Sequence, residues 1–329
     1  MKLAEIFTSS MVFAAKRPIR IFGYGKGRAT VTLGEYTKMI ESEEDFFCAE
    51  LPAMEYGGPY TLIFTEGEHA VTLENIYIGE VFLFSGQSNM DMYLSQTNTA
   101  PDAYEDLDTL RYAAVPPSPQ DFSWSRASRV CVGNWSALGY LVGREIGKEK
   151  GIPVGIICCA KGASAIESWM PEGALDAIGI QIPLEEKFLD HYHEQYGEWN
   201  HDGDLYKSKL SRVIPFTISG VVWYQGESDA SEAEGSVYER ELQEMIRIWR
   251  EKFMDERLPF AIVQIADCES RIALGPGWRL IQAAQEKISQ STPYVYTVLS
   301  RDICETDDIH PQTKDKLAAR IAEVIKKNF

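Results

Sequence analysis

The sequence predicts a three-layer α/β domain built on a parallel sheet and preceded by a small all-β, sandwich-like domain. One observation is that short strand patterns separated by turn residues fill residues 1–78, where no helix-length periodic pattern occurs. The other is that apolar strand patterns alternate with amphipathic helical patterns through residues 79–329. This alternation is typical of parallel sheets whose two faces are covered by helices. We therefore expect two domains, 1–78 and 79–329.

The first domain contains several short strand candidates. They lie at 19–23, 29–33, 46–51, 60–64 and 70–73. Glycine-rich turns such as 25–27 and 57–59 separate them at the spacing of a small β-sandwich. The last strand leads directly into the apolar run that opens the second domain.

The second domain is predicted to have five buried strands separated by helices. The strands lie at 81–84, 154–159, 218–224, 258–265 and 294–299. The helices are expected at 136–150, at 238–253, at 278–288 and from Pro311 onward, since proline is well tolerated in a first helical turn. Residues 91–130 are expected to be irregular, and a substrate-binding loop and a plain surface loop both fit this segment.

The composition is that of an ordinary globular protein of 329 residues, with a net charge of -17 and no block rich in lysine and arginine. That charge argues against nucleic acid or an anionic membrane as a partner. Six cysteines without a C-x-x-C pair indicate reduced, buried thiols rather than a disulfide framework. The segment after Met1 lacks an apolar core of signal-peptide length, and no segment is long enough to span a bilayer. We expect a cytoplasmic protein, unless a signal peptide has been removed.

The strand at 81–84 ends in a turn, Ser85-Gly86, that is followed by Ser88. A strand that feeds a tight turn is one way to expose a nucleophile at the carboxyl edge of a sheet. A serine hydroxyl is a weak nucleophile and needs a base. On this segment alone, a hydroxyl that merely caps the next helix is the more frequent explanation.

A candidate base lies near the end of the chain, where Asp307 and His310 are three residues apart in a predicted loop. That spacing lets the carboxylate accept a hydrogen bond from the imidazole, which fixes its tautomer and stabilises the imidazolium. Without such a partner, the positive end of a helix dipole disfavours an imidazolium at a helix start. Helix capping by Asp307 or Asp308 explains this loop equally well by itself.

Two further strand ends carry hydrogen-bond donors. Gly162 follows the second strand of the sheet, and the absence of a Cβ lets its backbone N–H approach a ligand. Gln225 follows the third strand and carries a side-chain amide. With the backbone N–H of Ser88, these groups are suited to an oxyanion hole for acyl transfer. Suitable residues at three strand ends and in the last loop together predict a serine-hydrolase site.

Four ordered sequence blocks carry a family resemblance. They are GQSNM at 86–90, the segment 153–170 that ends in IESWM, WYQGES at 223–228, and D-x-x-H-P at 307–311. With the segments 6–13, 18–23 and 57–62, these blocks cover nearly the whole chain. The chain thereby resembles the sialate O-acetylesterase family of the SGNH hydrolase superfamily, and the resemblance implies the SGNH fold for the α/β domain.

The resemblance implies Ser88 as nucleophile, His310 as base and Asp307 as the carboxylate that orients the base. It also implies an oxyanion hole formed by Ser88, Gly162 and Gln225. The wider superfamily has an asparagine at the position of Gln225, whereas the sialate and acetylxylan esterase branches have glutamine, as here. The longer amide can still donate a hydrogen bond, but the sequence does not give its direction.

Three more residues in these motifs, Asn89, Trp223 and Glu227, are candidates for supporting the site or binding the substrate. For Glu227 we favour a role in bracing its loop over contact with the histidine or the sugar. Four tryptophans are candidates to stack on sugar rings, although burial in the core explains each of them at least as well. They are Trp124, Trp169, Trp199 and Trp223.

The predicted activity is that of a serine esterase that removes O-acetyl groups from sugars through a Ser-His-Asp triad and an acetyl-enzyme, with no metal or cofactor. The expected partner is an O-acetylated mono-, oligo- or polysaccharide. The alternatives are an acetylxylan or other plant-polysaccharide acetylesterase with the same machinery, and a non-catalytic carbohydrate-binding protein. Which sugar and which hydroxyl are used, and whether the protein forms a homo-oligomer, are left open.

A metal site is the remaining alternative. His191, His193, Glu194 and His201 have the side chains of metal ligands. Because their segment is polar and no companion motif supports a metal, we favour a solvated or substrate-lining loop there. His69 is expected at the surface.

Overall fold

The computed structural model describes residues 1–99, 103–116, 121–188, 197–269 and 276–329. Its strands are β1 Lys2–Leu3, β2 Val12–Ala14, β3 Ile19–Tyr24, β4 Gly27–Leu33, β5 Tyr36–Ser42, β6 Phe46–Leu51, β7 Gly57–Glu66, β8 His69–Gly86, β9 Leu107–Ala114, β10 Ser125–Ala127, β11 Val154–Ala160, β12 Gly220–Tyr224, β13 Phe260–Val263 and β14 Val295–Val298. Its α-helices are α1 Ser88–Asp91, α2 Ala137–Lys150, α3 Ala174–Ala177, α4 Asp204–Ser208, α5 Glu232–Lys252, α6 Pro276–Ser291 and α7 Asp315–Asn328. Short 3-10 turns lie at Leu94–Gln96, Val132–Asn134, Ile166–Trp169, Leu184–Glu186, Gly197–Trp199, Leu210–Arg212 and Glu227–Asp229.

The five predicted strands and β9 form the parallel part of one sheet. The strand order is β10-β9-β11-β8-β12-β13-β14, and every neighbouring pair from β9 to β14 is parallel. Their carboxyl ends therefore lie along one edge of the sheet. In the register of the three central strands, Ser85 lies opposite both Cys159 and Trp223. The predicted α/β class is confirmed.

Helices cover both faces of this sheet. Phe82 on β8 and Gly220 on β12 are register partners, and both face the ring of Phe329 at the end of α7. Trp223 lies three residues beyond Gly220 on the same strand and so points to the opposite face. There it packs edge-on against Trp249 of α5, with ring centroids 5.6 Å apart. The arrangement is the three-layer one that the alternating pattern predicts.

The amino-terminal region is built mainly from antiparallel strands. The strands β1, β3 and β6 form one small sheet. In the other group β5 pairs with β4, β4 with β7, and β7 with the first half of β8, whereas β2 pairs with β8 in parallel. The second half of β8 is the central strand of the parallel sheet. Since β8 runs through residue 78, the domain division at that position stays a prediction.

Two expectations about secondary structure are wrong. The segment 91–130 is not irregular throughout, because β9 pairs in parallel with β11 and β10 pairs with β9. Only four of the eight β9 residues are buried, so the strand carries no continuous apolar run. The last helix begins at Asp315 rather than Pro311. Strand β5 escaped prediction because most of its side chains are exposed.

The six cysteines are all free thiols. Cys158, Cys159 and Cys268 are buried as predicted, but Cys48 is exposed on β6, where alternate residues face solvent. Burial raises the pKa of Cys158 and of Cys159 to about 12, so these two thiols stay protonated at neutral pH. Among the helices that the structure describes, none has the length and apolar character needed to cross a membrane.

Candidate active site

Ser88 is presented by a close approach between β8 and β12. Gly86 ends β8 with a φ of 131°, a conformation that favours glycine. A Cβ at this position would clash with the carbonyl oxygen of Tyr224 at the end of β12. The same carbonyl accepts a hydrogen bond from the Gln87 N–H at 3.0 Å. Ser88 follows as the first residue of α1, at the carboxyl edge of the sheet.

His310 lies against Ser88 although the two residues are far apart in sequence. The distance from His310 Nε2 to Ser88 Oγ is 2.8 Å, which is a hydrogen bond. Burial lowers the pKa of His310, an effect that Lys314 reinforces and Asp308 opposes. The imidazole is thus neutral at physiological pH and can accept the serine proton.

The carboxylate nearest the His310 ring belongs to Asp308. Its Oδ1 lies 3.9 Å from His310 Nδ1, too far for a hydrogen bond. The same carboxylate accepts the backbone N–H of His310 at 2.9 Å. Asp307 is exposed and accepts no hydrogen bond from any residue within the described ranges. The role of Asp307 as orienting carboxylate therefore stays a prediction.

Gly162 borders Ser88 across the top of β11 and β8. A Cβ built on Gly162 would lie 3.7 Å from Ser88 Cβ, so the two residues are in contact distance of each other. Burial raises the pKa of the nearby Asp91 carboxyl, while Lys209, Lys161 and the Gly162 backbone oppose that effect. Gly162 therefore lies beside Ser88, and its role as an oxyanion donor stays a prediction.

Gln225 is not brought to Ser88 in this arrangement. Its Nε2 donates to the carbonyl of Ser164 at 2.8 Å and to the carboxylate of Asp229, and its Oε1 accepts from the Tyr238 hydroxyl at 2.8 Å. The side chain is completely buried. Gln225 therefore forms part of a buried polar network beneath the site, and its assignment to the oxyanion hole stays a prediction.

Asn89 links the elements of the site. Its Nδ2 donates to Glu227 Oε1 at 2.7 Å and to the carbonyl of Ile309 at 3.0 Å. Its Oδ1 accepts from Lys314 Nζ at 2.8 Å. Burial raises the pKa of Glu227, and the Asn89 hydrogen bond opposes that effect. Glu227 thus binds the residue after the nucleophile, whereas the sequence favoured only a bracing role within its own loop.

The tryptophans divide between core and surface. Trp124, Trp169 and Trp223 are buried, and Trp223 packs edge-on against both Trp169 and Trp249. These rings serve the core and do not present a face to a sugar. Trp199 is partly exposed and lies beneath Lys161, whose Nζ is 3.8 Å from the ring centroid.

A cavity of about 440 Å³ opens at Ser88. It is lined by Ser88, Asp91, Met92, Tyr93, Gln96, Gly162, Asp308, His310 and Gln312. Sequence reasoning did not identify Asp91, Tyr93, Gln96 and Gln312 as lining residues. These residues lie close to Ser88 or His310 in the sequence, and that proximity is the signal that could have identified them. Most of these lining residues carry a polar side chain that can form hydrogen bonds with a hydroxyl-rich ligand.

No group of three or more histidine, cysteine, aspartate or glutamate side chains is arranged to hold a metal ion in the part of the chain that the structure describes. The proposed ligands His191, His193 and Glu194 lie outside the described residues. His201 and His69 are exposed.

Comparisons with known proteins show the family of the chain. Residues 78–327 match the profile of a family described as carbohydrate esterase, sialic acid-specific acetylesterase. Human sialate O-acetylesterase is 27% identical over 350 residues, covering 92% of this chain and 65% of the human protein. The mouse sialate O-acetylesterase is 26% identical over 369 residues, covering 92% of this chain and 68% of the mouse protein.

The solved structures agree with the sequence relatives. A carbohydrate acetylesterase from Xanthomonas citri superposes with a TM-score of 0.87 at 26% identity, over 99% of this chain and 75% of that protein. The fold and nearly all of its elements are therefore shared with that protein. Against the human relative, however, the chain spans only 65% of the length.

Proposed function

The chain belongs to the carbohydrate esterase family described as sialic acid-specific acetylesterase, and on this premise we propose that it hydrolyses O-acetyl esters of sugars with Ser88 as nucleophile. One observation carries the proposal. Ser88 Oγ and His310 Nε2 lie 2.8 Å apart, and both residues line an open cavity. A serine paired with a neutral imidazole is the arrangement that activates a hydroxyl for acyl transfer.

The reaction begins when Ser88 Oγ attacks the acetyl carbonyl and its proton passes to His310 Nε2. The carbonyl oxygen becomes an oxyanion, and the backbone N–H groups of Ser88 and Gly162 are its proposed hydrogen-bond donors. As the tetrahedral intermediate collapses, His310 gives the proton to the sugar oxygen and the sugar alcohol leaves. Water then attacks the acetyl-enzyme by the same route, releasing acetate and restoring Ser88.

The third member of the triad is proposed to be an aspartate of the loop before α7. Asp307 is the residue that the motif implies, and Asp308 is the one whose carboxylate lies 3.9 Å from His310 Nδ1. Either carboxylate would stabilise the imidazolium that forms when the serine is deprotonated.

We propose O-acetylated sialic acid as the first substrate to test, because the human and mouse relatives are sialate O-acetylesterases. Acetylated xylo-oligosaccharide is the second, since the relative from Xanthomonas citri is a carbohydrate acetylesterase. A cavity of about 440 Å³ has room for an acetyl group and one sugar ring.

The test compares acetate release from both substrates, and from p-nitrophenyl acetate, by the native protein and three variants. We expect Ser88→Ala and His310→Ala to lose activity by at least about 10³-fold. Ser95→Ala removes an exposed hydroxyl close to the cavity and serves as the matched control, with activity unchanged.

Two results would contradict the proposal. Full activity of Ser88→Ala, with loss of activity in chelator, would indicate a metal hydrolase. An inert native protein that still binds the sugars would indicate a carbohydrate-binding protein. The ratio of acetate released from the two sugar substrates identifies the preferred one.

A further inference from the structure

Lys314 is a fully buried lysine beside the catalytic pair. It lies four residues after His310, just before α7, and its exposed fraction is 0%. Its Nζ donates a hydrogen bond to Asn89 Oδ1 at 2.8 Å. A buried ammonium group costs free energy unless it is paired, so the fold keeps Lys314 at this position against a penalty.

Asn89 connects Lys314 to both Ser88 and His310. Asn89 follows Ser88 directly in the chain. Its Nδ2 donates to the carbonyl of Ile309 at 3.0 Å, and Ile309 directly precedes His310. Because Lys314 fills the Oδ1 of the Asn89 amide, it fixes which end of the amide faces the histidine loop. The amide thus connects the serine turn to the histidine loop.

Glu227 completes this buried chain of polar groups. It is 3% exposed, and its Oε1 accepts the second Asn89 Nδ2 hydrogen bond at 2.7 Å. Its Oε2 is buried without a hydrogen-bond partner among the described residues. The carboxylate, the amide and the ammonium group therefore join the loop after β12, the start of α1 and the segment before α7.

We propose that Lys314 is a positioning residue of the esterase, which holds His310 over Ser88 through Asn89 and sets a positive charge behind the imidazole. The proposal rests on the proposed function of Ser88 and His310. It assigns a role to a residue that lies outside the family motifs.

The His310 ring has one side-chain hydrogen bond within the described residues, to Ser88 Oγ at 2.8 Å. No described carboxylate is within hydrogen-bond distance of His310 Nδ1, since Asp308 Oδ1 is 3.9 Å away. The ring is therefore held mainly through its own backbone, by the Asn89 hydrogen bond to Ile309 and by Asp308 at the His310 N–H. Loss of the backbone contact would let the base move relative to Ser88, and small displacements of this kind reduce turnover strongly.

Charges around His310 come from several elements. Burial has the largest effect on the pKa of His310 and lowers it, Asp308 on the same loop raises it, and Lys314 lowers it further. Asp91 of α1 lines the same cavity, and Glu227 lies behind Asn89. Cys304, Glu305, Glu227 and Asp308 in turn act on Lys314, whose pKa burial lowers to about 8. Lys314 is therefore charged through the pH range in which an imidazole titrates.

The experiment replaces Lys314 with methionine, which keeps the length of the side chain without the charge. The matched control is Lys316→Met, an exposed lysine two residues away. We expect Lys314→Met to lower kcat by about tenfold or more. We also expect the acid limb of its kcat/KM profile to move up by about half a pH unit. The control should match the native protein in kcat and in the position of the acid limb.

A purely structural lysine would reduce activity without moving the acid limb. An unmoved acid limb in Lys314→Met, or a shift to lower pH, therefore overturns the proposal. If this variant does not fold, Lys314→Gln retains a donor for Asn89 and removes only the charge. It should shift the acid limb in the same direction, and an unshifted profile again overturns the proposal.

A second readout separates this proposal from the proposed function. NMR titration of the His310 ring, assigned with His310→Ala, measures the imidazole pKa without turnover. Lys314→Met should raise that pKa by about half a unit. If Ser88→Ala is fully active, the proposed function fails whatever the titration shows. If Ser88→Ala is inactive and the His310 pKa is unmoved, only the role of Lys314 fails.

Discussion

The two adjacent aspartates before His310 give the sharpest prediction, because sequence and structure favour different ones. The motif implies Asp307, whereas the carboxylate near the ring is that of Asp308, with Oδ1 at 3.9 Å from Nδ1. Replacing each aspartate by asparagine removes one charge and little volume. From the structure we expect Asp308→Asn to have the larger effect and Asp307→Asn to stay within about twofold of the native kcat/KM.

The size of the Asp308 effect follows from its distance and exposure. Two unit charges 3.9 Å apart attract by about 1 kcal/mol in water and by about 4 kcal/mol at a protein surface of lower dielectric. The ring and the carboxylate are 43% and 47% exposed, so the lower value applies. About 1 kcal/mol corresponds to roughly a fivefold loss of kcat/KM and to a change of less than one unit in the pKa of His310.

The charge of Asp308 also determines the direction in which Asp308→Asn should shift the pH dependence of kcat/KM. The Asp308 carboxylate favours the imidazolium, so its removal lowers the pKa of His310 further. The acid limb of the kcat/KM profile of Asp308→Asn should thus move to lower pH, opposite to the shift expected for Lys314→Met.

The assay is the initial rate of p-nitrophenyl acetate hydrolysis between pH 5 and pH 9, with both single variants and the double variant. In serine proteases, loss of a buried orienting aspartate costs on the order of 10⁴-fold in kcat. A loss of that size in Asp307→Asn, with Asp308→Asn near native, would refute our reasoning. It would show that substrate binding moves the Asp307 carboxylate onto the ring.

Three further predictions concern stability. Gln225→Ala should lower the free energy of unfolding in urea by about 2–3 kcal/mol, because it leaves buried partners such as the Ser164 carbonyl unpaired. Unchanged stability with lost turnover would instead support an oxyanion role for Gln225. Burial raises the pKa of Glu241 from 4.5 to about 8, so between these pH values the folded state retains a proton that the unfolded state loses. The Tm of the native protein should therefore fall as the pH rises from 5 to 8, and the Tm of Glu241→Gln should fall less. Gly86→Ala should destabilise the fold by several kcal/mol, while Gly67→Ala, at a positive φ with open space around it, should cost about 1 kcal/mol in the same unfolding assay.

The α/β class followed from the sequence because its signals are local. Each of the five predicted strands is a short apolar run, and each falls on a strand of the parallel sheet. Continuous apolar character reports burial on both faces, which is the property of central parallel strands. Strand β9 was missed because its outer residues face solvent, and its pairing with β11 is a contact between distant segments.

For the candidate site too, the sequence predicted some features and only the structure showed others. Ser88 after a strand and His310 in the last loop were predicted because a strand end, a turn and a motif are readable along the chain. Their distance of 2.8 Å depends on the order of strands in the sheet. The sequence could name the residues at this edge, but only the packed sheet brings the two together.

The sequence did not predict which groups these side chains bind by hydrogen bonds. The Gln225 amide is a donor by its chemistry, and the structure directs it to Ser164 and Asp229 instead of to Ser88. Lys314 reads as an ordinary lysine before a helix, yet it is fully buried against Asn89.

The sequence by itself therefore determined the class of fold, the central strands and the residues that we propose as nucleophile and base. Only the tertiary structure decided which aspartate lies near His310, what Gln225 binds and that Lys314 is buried. The physical reason is that periodicity and turn chemistry act over a few residues and are recorded locally. The direction of a side chain in a loop depends on segments that meet only after the sheet has formed, so no local pattern records it.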